Sequence, residues 1–111
     1  MKGSNCVYEV EREGETLHII LGGEMDHHNA VTIRSEIDRL IYDERPKRVV
    51  IDLSGIGFMD SSGLGFIMGR YSLLQKLGGE LLLERPNERV VRIFELAGLE
   101  RIVKIEREEV K

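Results

Sequence analysis

Tryptophan is absent from this 111-residue chain, and only three Tyr and three Phe supply aromatic rings. So thin an aromatic content leaves no stacking platform for bases or sugars. Cysteine occurs once, as Cys6, which excludes an internal disulfide and any zinc site built on several thiolates. A lone cysteine suits a reducing compartment, so the expected location is the cytoplasm. No apolar run approaches the roughly 20 residues of a membrane span. Met1 to Cys6 lead straight into alternating polar and apolar residues with no secretory signal in view, and no membrane association is expected. Nor is positive charge in excess: 16 Lys and Arg face 20 Asp and Glu, for a net charge of −4. A direct, sequence-independent nucleic-acid binder needs the opposite balance.

What is present, 41% apolar and 32% charged residues, is the balance of a soluble globular protein. The length fits one domain over residues 1–111, which buries roughly two thirds of the chain's surface on folding. Internal repeats and low-complexity segments are both missing.

Val7, Tyr8 and Val10, then Leu17, Ile19 and Leu21, flank Glu13-Gly14 and predict an antiparallel hairpin. Asp26 sits where a helix N-cap belongs, followed by Ala30, Ile33, Ile37 and Leu40/Ile41 at helical spacing, with Pro46 as a stop. Val49-Val50-Ile51 and Leu53 form a β-branched run suited to a strand covered on both faces, and Ser54 to Asp60 read as a loop. A second helix is expected from Ser61 to Leu77, with Leu64, Ile67, Met68, Tyr71 and Leu74 inward and Gly78-Gly79 closing it. Leu81-Leu82-Leu83 predict another strand, and Arg85-Pro86-Asn87 open a helix with Val90, Val91 and Phe94 inward. Ile102-Val103-Ile105 predict a last strand before a frayed acidic tail. The expected fold is α/β: a small mixed sheet with an N-terminal antiparallel hairpin and parallel strands connected by helices.

Phe58-Met59-Asp60-Ser61-Ser62-Gly63-Leu64-Gly65 is the most unusual stretch. It falls after a central strand and at a helix start, the edge where ligands and partners of open α/β sheets bind. Asp26 is expected at the same edge. The plainest reading makes Asp60 or Ser61 an N-cap and lets Gly63 and Gly65 permit close packing. A dinucleotide site is disfavoured: the third glycine of G-x-G-x-x-G should fall at Met68, and Gly69 is one residue late. A serine hydrolase is disfavoured too, since G-x-S-x-G is missing around Ser61 and Ser62. His27 and His28 point roughly 100° apart on a helix start, so one metal cannot easily use both, and they read as solvated first-turn residues. No metal and no cofactor is expected. A phosphorylation switch is physically permitted, because free amides and the helix dipole favour an anion at this position. Those physical grounds do not single it out.

Gly23-Glu24-Met25-Asp26-His27-His28, then Asp60-Ser61-Ser62-Gly63-Leu64-Gly65 with Gly69-Arg70-Tyr71, and Phe94-Glu95-Leu96-Ala97-Gly98-Leu99 together resemble the STAS-domain anti-sigma factor antagonists, those of sporulation especially. The resemblance runs over nearly the whole chain. It departs at Phe94-Glu95-Leu96-Ala97, where sporulation antagonists more often carry Phe-Asp-Met-Ser. It implies a partner that is both anti-sigma factor and serine kinase: the unphosphorylated antagonist binds it and releases a sigma factor. Phosphorylation of the first serine of the pair, Ser61, switches binding off, and a metal-dependent serine phosphatase restores it.

On that resemblance the antagonist is a ligand and a substrate, not an enzyme, and is expected to be a monomer. The implied partner-binding residues are Asp26, Asp60, Ser61, Ser62, Gly63, Leu64 and Gly65. Asp26 would cap the first helix beside Ser61, and the glycines would let a partner's backbone come close. Phe66, Leu73 and Leu77 form a second apolar face on the same helix, either packed under a neighbouring helix or exposed as a docking patch. The competing expectations are a STAS adaptor in a stress-signalling complex, a small-anion-binding module at the helix terminus, and a receiver domain using Asp52 or Asp60 as acceptor. The last should begin with a strand leading to paired acidic residues, not with a hairpin.

Overall fold

The computed structural model describes residues 6–107. β1 (Cys6–Glu13) turns at Gly14-Glu15 into β2 (Thr16–Met25), and the turn is possible because Gly14 takes φ +62°. The elements α1 (His27–Glu44), β3 (Arg48–Met59), α2 (Ser61–Leu77), β4 (Glu80–Glu84), α3 (Glu88–Ala97), a 3₁₀ turn (Leu99–Arg101) and β5 (Lys104–Glu106) follow. The strands lie side by side in sequence order, β1 antiparallel to β2 and each later pair parallel. That is the expected mixed sheet. No helix among the described residues is long and apolar enough to cross a membrane. The expected acidic tail falls in 108–111, outside the described residues.

Alternation along the strands divides the sheet into two faces. Leu17, Ile19 and Leu21 of β2, Val49, Ile51 and Leu53 of β3, and Leu81 and Leu83 of β4 share one core cluster with Ile33, Ile37, Ile67, Leu74, Val90 and Phe94 of the helices. All three helices therefore pack on one face. Val50 and Leu82, on the other face, are buried but lie outside that cluster.

Several expectations need correction. Ser54 to Met59 continue β3 instead of forming a loop. From Ile20↔Asp52 to Met25↔Met59, β2 advances five residues and β3 seven, so β3 carries two bulged residues. Gly55 is required there, because a Cβ would lie 2.9 Å from the Leu21 carbonyl oxygen. The inward stripe of α2 is also rotated. Phe66, Ile67, Leu73 and Leu74 are buried, whereas Leu64, Met68 and Tyr71 are half-buried, because α2 packs on α1 as well as on the sheet. The exposed docking patch of Phe66, Leu73 and Leu77 does not exist: the first two are buried and Leu77 is half-buried. Finally, Ile102 and Val103 precede β5, the first half exposed and the second in the core, while Val91 of α3 is only half-buried.

Between α1 and α2 lies a nearly buried guanidinium. Arg70, 5% exposed, sets Nε 2.7 Å from Asp38, donates to the Phe66 carbonyl at 3.0 Å and stacks over the Phe66 ring. A charge so placed is tolerated because it is paired and hydrogen-bonded. It fixes α2 against α1, and so fixes where α2 begins.

Candidate functional site

The two extra residues of β3 bring the ends of β2 and β3 level. Met25 pairs with Met59, and the Asp60 N–H donates to the Met25 carbonyl at 3.4 Å. Asp26 and Asp60 thus leave neighbouring parallel strands at the same edge, and each starts a helix. The Asp26 carboxylate accepts from the Asn29 N–H at 3.0 Å. That of Asp60 accepts from the Ser62 N–H at 2.8 Å and the Gly63 N–H at 3.3 Å. Both are N-caps, as the sequence predicts, satisfying amides that have no partner within their helices. Asn29, itself buried, ties its side-chain amide to the Glu24 carbonyl at 2.7 Å and holds the β2–α1 corner.

Ser61, the first residue of α2, is exposed, and among the described residues its hydroxyl makes no hydrogen bond. Ser62 is half-buried, with Oγ 3.5 Å from His27 Nδ1. The contact between the two helix starts therefore runs from His27 to Ser62. No hydrogen bond joins Asp26 to Ser61 among the described residues; the Asp26 carboxylate serves the cap of α1. Gly63 is buried: a Cβ there would sit 2.3 Å from Met59 Cγ and 2.8 Å from Met25 Cγ. Its lack of a side chain serves the descent of α2 onto the strand ends. Gly65 is exposed and has open space where a Cβ would be. Nothing inside the described chain requires a glycine there, although glycine costs a helix about 1 kcal/mol relative to alanine.

Two depressions flank the start of α2. A groove of about 350 Å³ between α2 and α3 is lined by Asp60, Ser61, Leu64, Ile93, Leu96 and Ala97. A smaller one of about 240 Å³ between α1 and α2 is lined by His27, Arg34, Ser62 and Gly65 among others. Sequence reasoning does not place α3 at this site, yet Leu96 and Ala97 are two of the residues at which the chain departs from the Phe-Asp-Met-Ser pattern. Asn87 orients that helix: its side chain caps α3 through the Val90 N–H and donates to the Ile56 carbonyl at 3.0 Å.

Asp52 stands apart from this edge constellation. Burial pushes its carboxyl up, but the Ser54 N–H and hydroxyl and the Arg85 guanidinium together hold it below the usual carboxylate value. A buried carboxylate paired with arginine is a structural group, unlike the exposed acceptor of a receiver domain. Among the described residues no three His, Cys, Asp or Glu side chains are placed to hold a metal ion.

Known proteins share the sequence and the fold of this chain. The family model for the STAS domain matches residues 8–111. The chain is 38% identical to the anti-sigma F factor antagonist of Paenibacillus polymyxa over 101 residues, covering 91% of this chain and 86% of that protein. It is 32% identical to the anti-sigma-B factor antagonist of Bacillus subtilis, over 91% of each. Among solved structures, the anti-sigma factor antagonist SpoIIAA in its unphosphorylated form superposes with a TM-score of 0.79 at 31% identity, covering 92% of this chain and 90% of that one. The phosphorylated form of the Bacillus cell fate determinant SpoIIAA gives 0.72 at 30% identity, over 92% and 93%. Matched in sequence over nearly its whole length and in fold, the chain belongs to the STAS domain family.

Proposed function

We propose that the chain is an anti-sigma factor antagonist controlled by phosphorylation of Ser61. Unmodified, it binds an anti-sigma factor that is also a serine kinase, as the resemblance to sporulation antagonists implies, and so frees the sigma factor held there. The kinase transfers the γ-phosphoryl group of ATP to Ser61 Oγ: the new O–P bond forms as the bond to ADP breaks, and the hydroxyl proton passes to a base of the kinase. A serine phosphatase hydrolyses the ester and restores the binding form. ATP and its metal belong to the kinase; the chain is ligand and substrate, acting in the cytoplasm as a monomer whose binding face stays available.

The single observation that carries this reading is the state of Ser61, exposed and without a hydrogen-bond partner among the described residues at the first position of α2, in a domain whose relatives are anti-sigma factor antagonists. A phosphate adds about −1.5 to −2 charge there. The N-terminal dipole of α2 tolerates it, so the fold stands. The surface offered to a partner, with Asp60 already beside it, becomes more negative and more strongly hydrated. Asp26, Asp60, Ser61, Ser62, Leu64 and Gly65 form that surface, and Gly63 sets its depth. A small-anion site at the same helix start is the poorer reading, because the Asp60 carboxylate already occupies the Ser62 and Gly63 amides and repels an incoming anion.

The test uses the purified cognate anti-sigma factor with ATP and magnesium, and reads phosphorylation by mass spectrometry. One phosphate is expected on wild type at Ser61 and none on Ser61→Ala, which stays bound. Ser61→Asp should be captured poorly. Persistent phosphorylation of Ser61→Ala would overturn the assignment.

A further inference from the structure

The start of α2 is flanked by two unlike surfaces. In the groove on the α3 side the one charged lining residue is Asp60. The groove on the α1 side is lined by His27 and Arg34, with no carboxylate in its wall. Arg34 forms no ion pair among the described residues, and Asp38 is taken by Arg70. His27 stands nearest the helix start. As the first residue of α1 it sets Nδ1 3.5 Å from Ser62 Oγ, and Ser62 directly follows Ser61. The imidazole is exposed and open to protonation.

We propose that His27 is the on-chain counter-charge of the phosphoserine: its imidazolium faces the phosphate on Ser61 across the α1–α2 junction, so that phosphorylation and proton uptake by this histidine favour each other. The inference rests on Ser61 being the phosphoacceptor. Adjacent residues of a helix hold their side chains about 100° apart, which leaves the phosphorus roughly 5–8 Å from the ring. Unit charges at that separation, in low salt and a water-like dielectric, shift each other's ionisation by about 0.4–0.6 pH unit. The other charged or titratable groups at the junction are Glu24 and Asp26 from the β2 exit, Asp60 at the start of α2, and His28 and Arg34 on α1. Their fields are common to wild type and His27→Gln and cancel in that comparison.

The experiment follows the phosphorus-31 resonance of the Ser61-phosphorylated protein through a pH titration at low ionic strength. Phosphoserine is introduced at position 61 during translation, so every variant carries it whatever the kinase accepts. Its second ionisation, ordinarily near about pH 6, is favoured by a neighbouring cation. The midpoint in wild type is therefore expected about 0.4–0.6 pH unit below that in His27→Gln. His28, exposed at the next position, has no side-chain hydrogen bond to α2 among the described residues, and His28→Gln should move the midpoint less than half as far. The gap should shrink by at least half at about 1 M salt, where the Debye length is about 3 Å. Circular dichroism melts establish that each variant is folded. Equal midpoints in wild type and His27→Gln, equal shifts from the two histidines, or a gap indifferent to salt would each overturn this inference and leave the switch standing. Labelling of wild type by the purified anti-sigma factor at a residue other than Ser61 would overturn the switch, and this inference with it.

Discussion

Replacing Gly63 by alanine tests how tightly α2 is lowered onto the strand ends. Taken alone, the change helps a helix by about 1 kcal/mol. The site refuses it. The added Cβ would lie 2.3 Å from Met59 Cγ, 2.8 Å from Met25 Cγ and 3.1 Å from the Met25 carbonyl oxygen. Carbon contacts settle at roughly 3.5 Å or more, so Met59 must retreat by about 1.2 Å. Met59 is 3% exposed and Met25 is fully buried, and the crowded atoms are mid-chain, so neither methionine can swing clear into solvent. Overpacking of this kind costs about 1–3 kcal/mol, which outweighs the gain in propensity. Two contacts under 3.0 Å put the cost at about 2–3 kcal/mol, so we expect a net loss of about 1–2 kcal/mol, or roughly 4–10 °C in the thermal midpoint for a domain this small. Circular dichroism melts with urea unfolding read it directly. A Gly63→Ala protein as stable as wild type, or more so, would refute the packing argument.

The neighbouring glycine should behave oppositely. Gly65→Ala meets open space and is expected to stabilise the fold by about 0.5–1 kcal/mol, read by the same melts, while weakening capture of the anti-sigma factor in a pull-down. Removing the buried charge by Arg70→Leu leaves the partly exposed Asp38 unpaired against α2 and should cost about 1–3 kcal/mol by urea unfolding. Asp52 titrates below its ordinary value in the folded chain, so its contribution is complete above about pH 4 and fades as pH falls through the lower, folded value. Asp52→Asn should therefore be less stable than wild type at neutral pH, and the difference should shrink in acid; an unchanged gap at pH 3 would contradict the pairing.

The two caps were legible because a carboxylate just before an apolar helical run has one local use, and Asp26 and Asp60 both serve it. Shared placement at one edge followed from both being exits of parallel strands. The Ser54 to Met59 extension of β3 was not legible: Ser54, Gly55 and Gly57 have the composition of a loop, and the pairing of Gly55 with Gly22 depends on the close approach of the Leu21 carbonyl from another strand. Arg70 reads as a surface residue until Asp38, 32 positions away, is seen against it. The same holds for Leu96. Its spacing marks it as outward, but only the landing of α3 beside α2 turns an outward leucine into the wall of a groove at Ser61. What local patterning cannot carry is the meeting of distant elements.

The central claim is that one phosphate on Ser61 governs partner binding. Isothermal titration of the cognate anti-sigma factor, loaded with ADP, with unmodified and with Ser61-phosphorylated protein tests it most directly. The account predicts a loss of affinity of at least about tenfold, or 1.4 kcal/mol, on phosphorylation, with the fold unchanged by circular dichroism. Equal affinities for the two forms would contradict it.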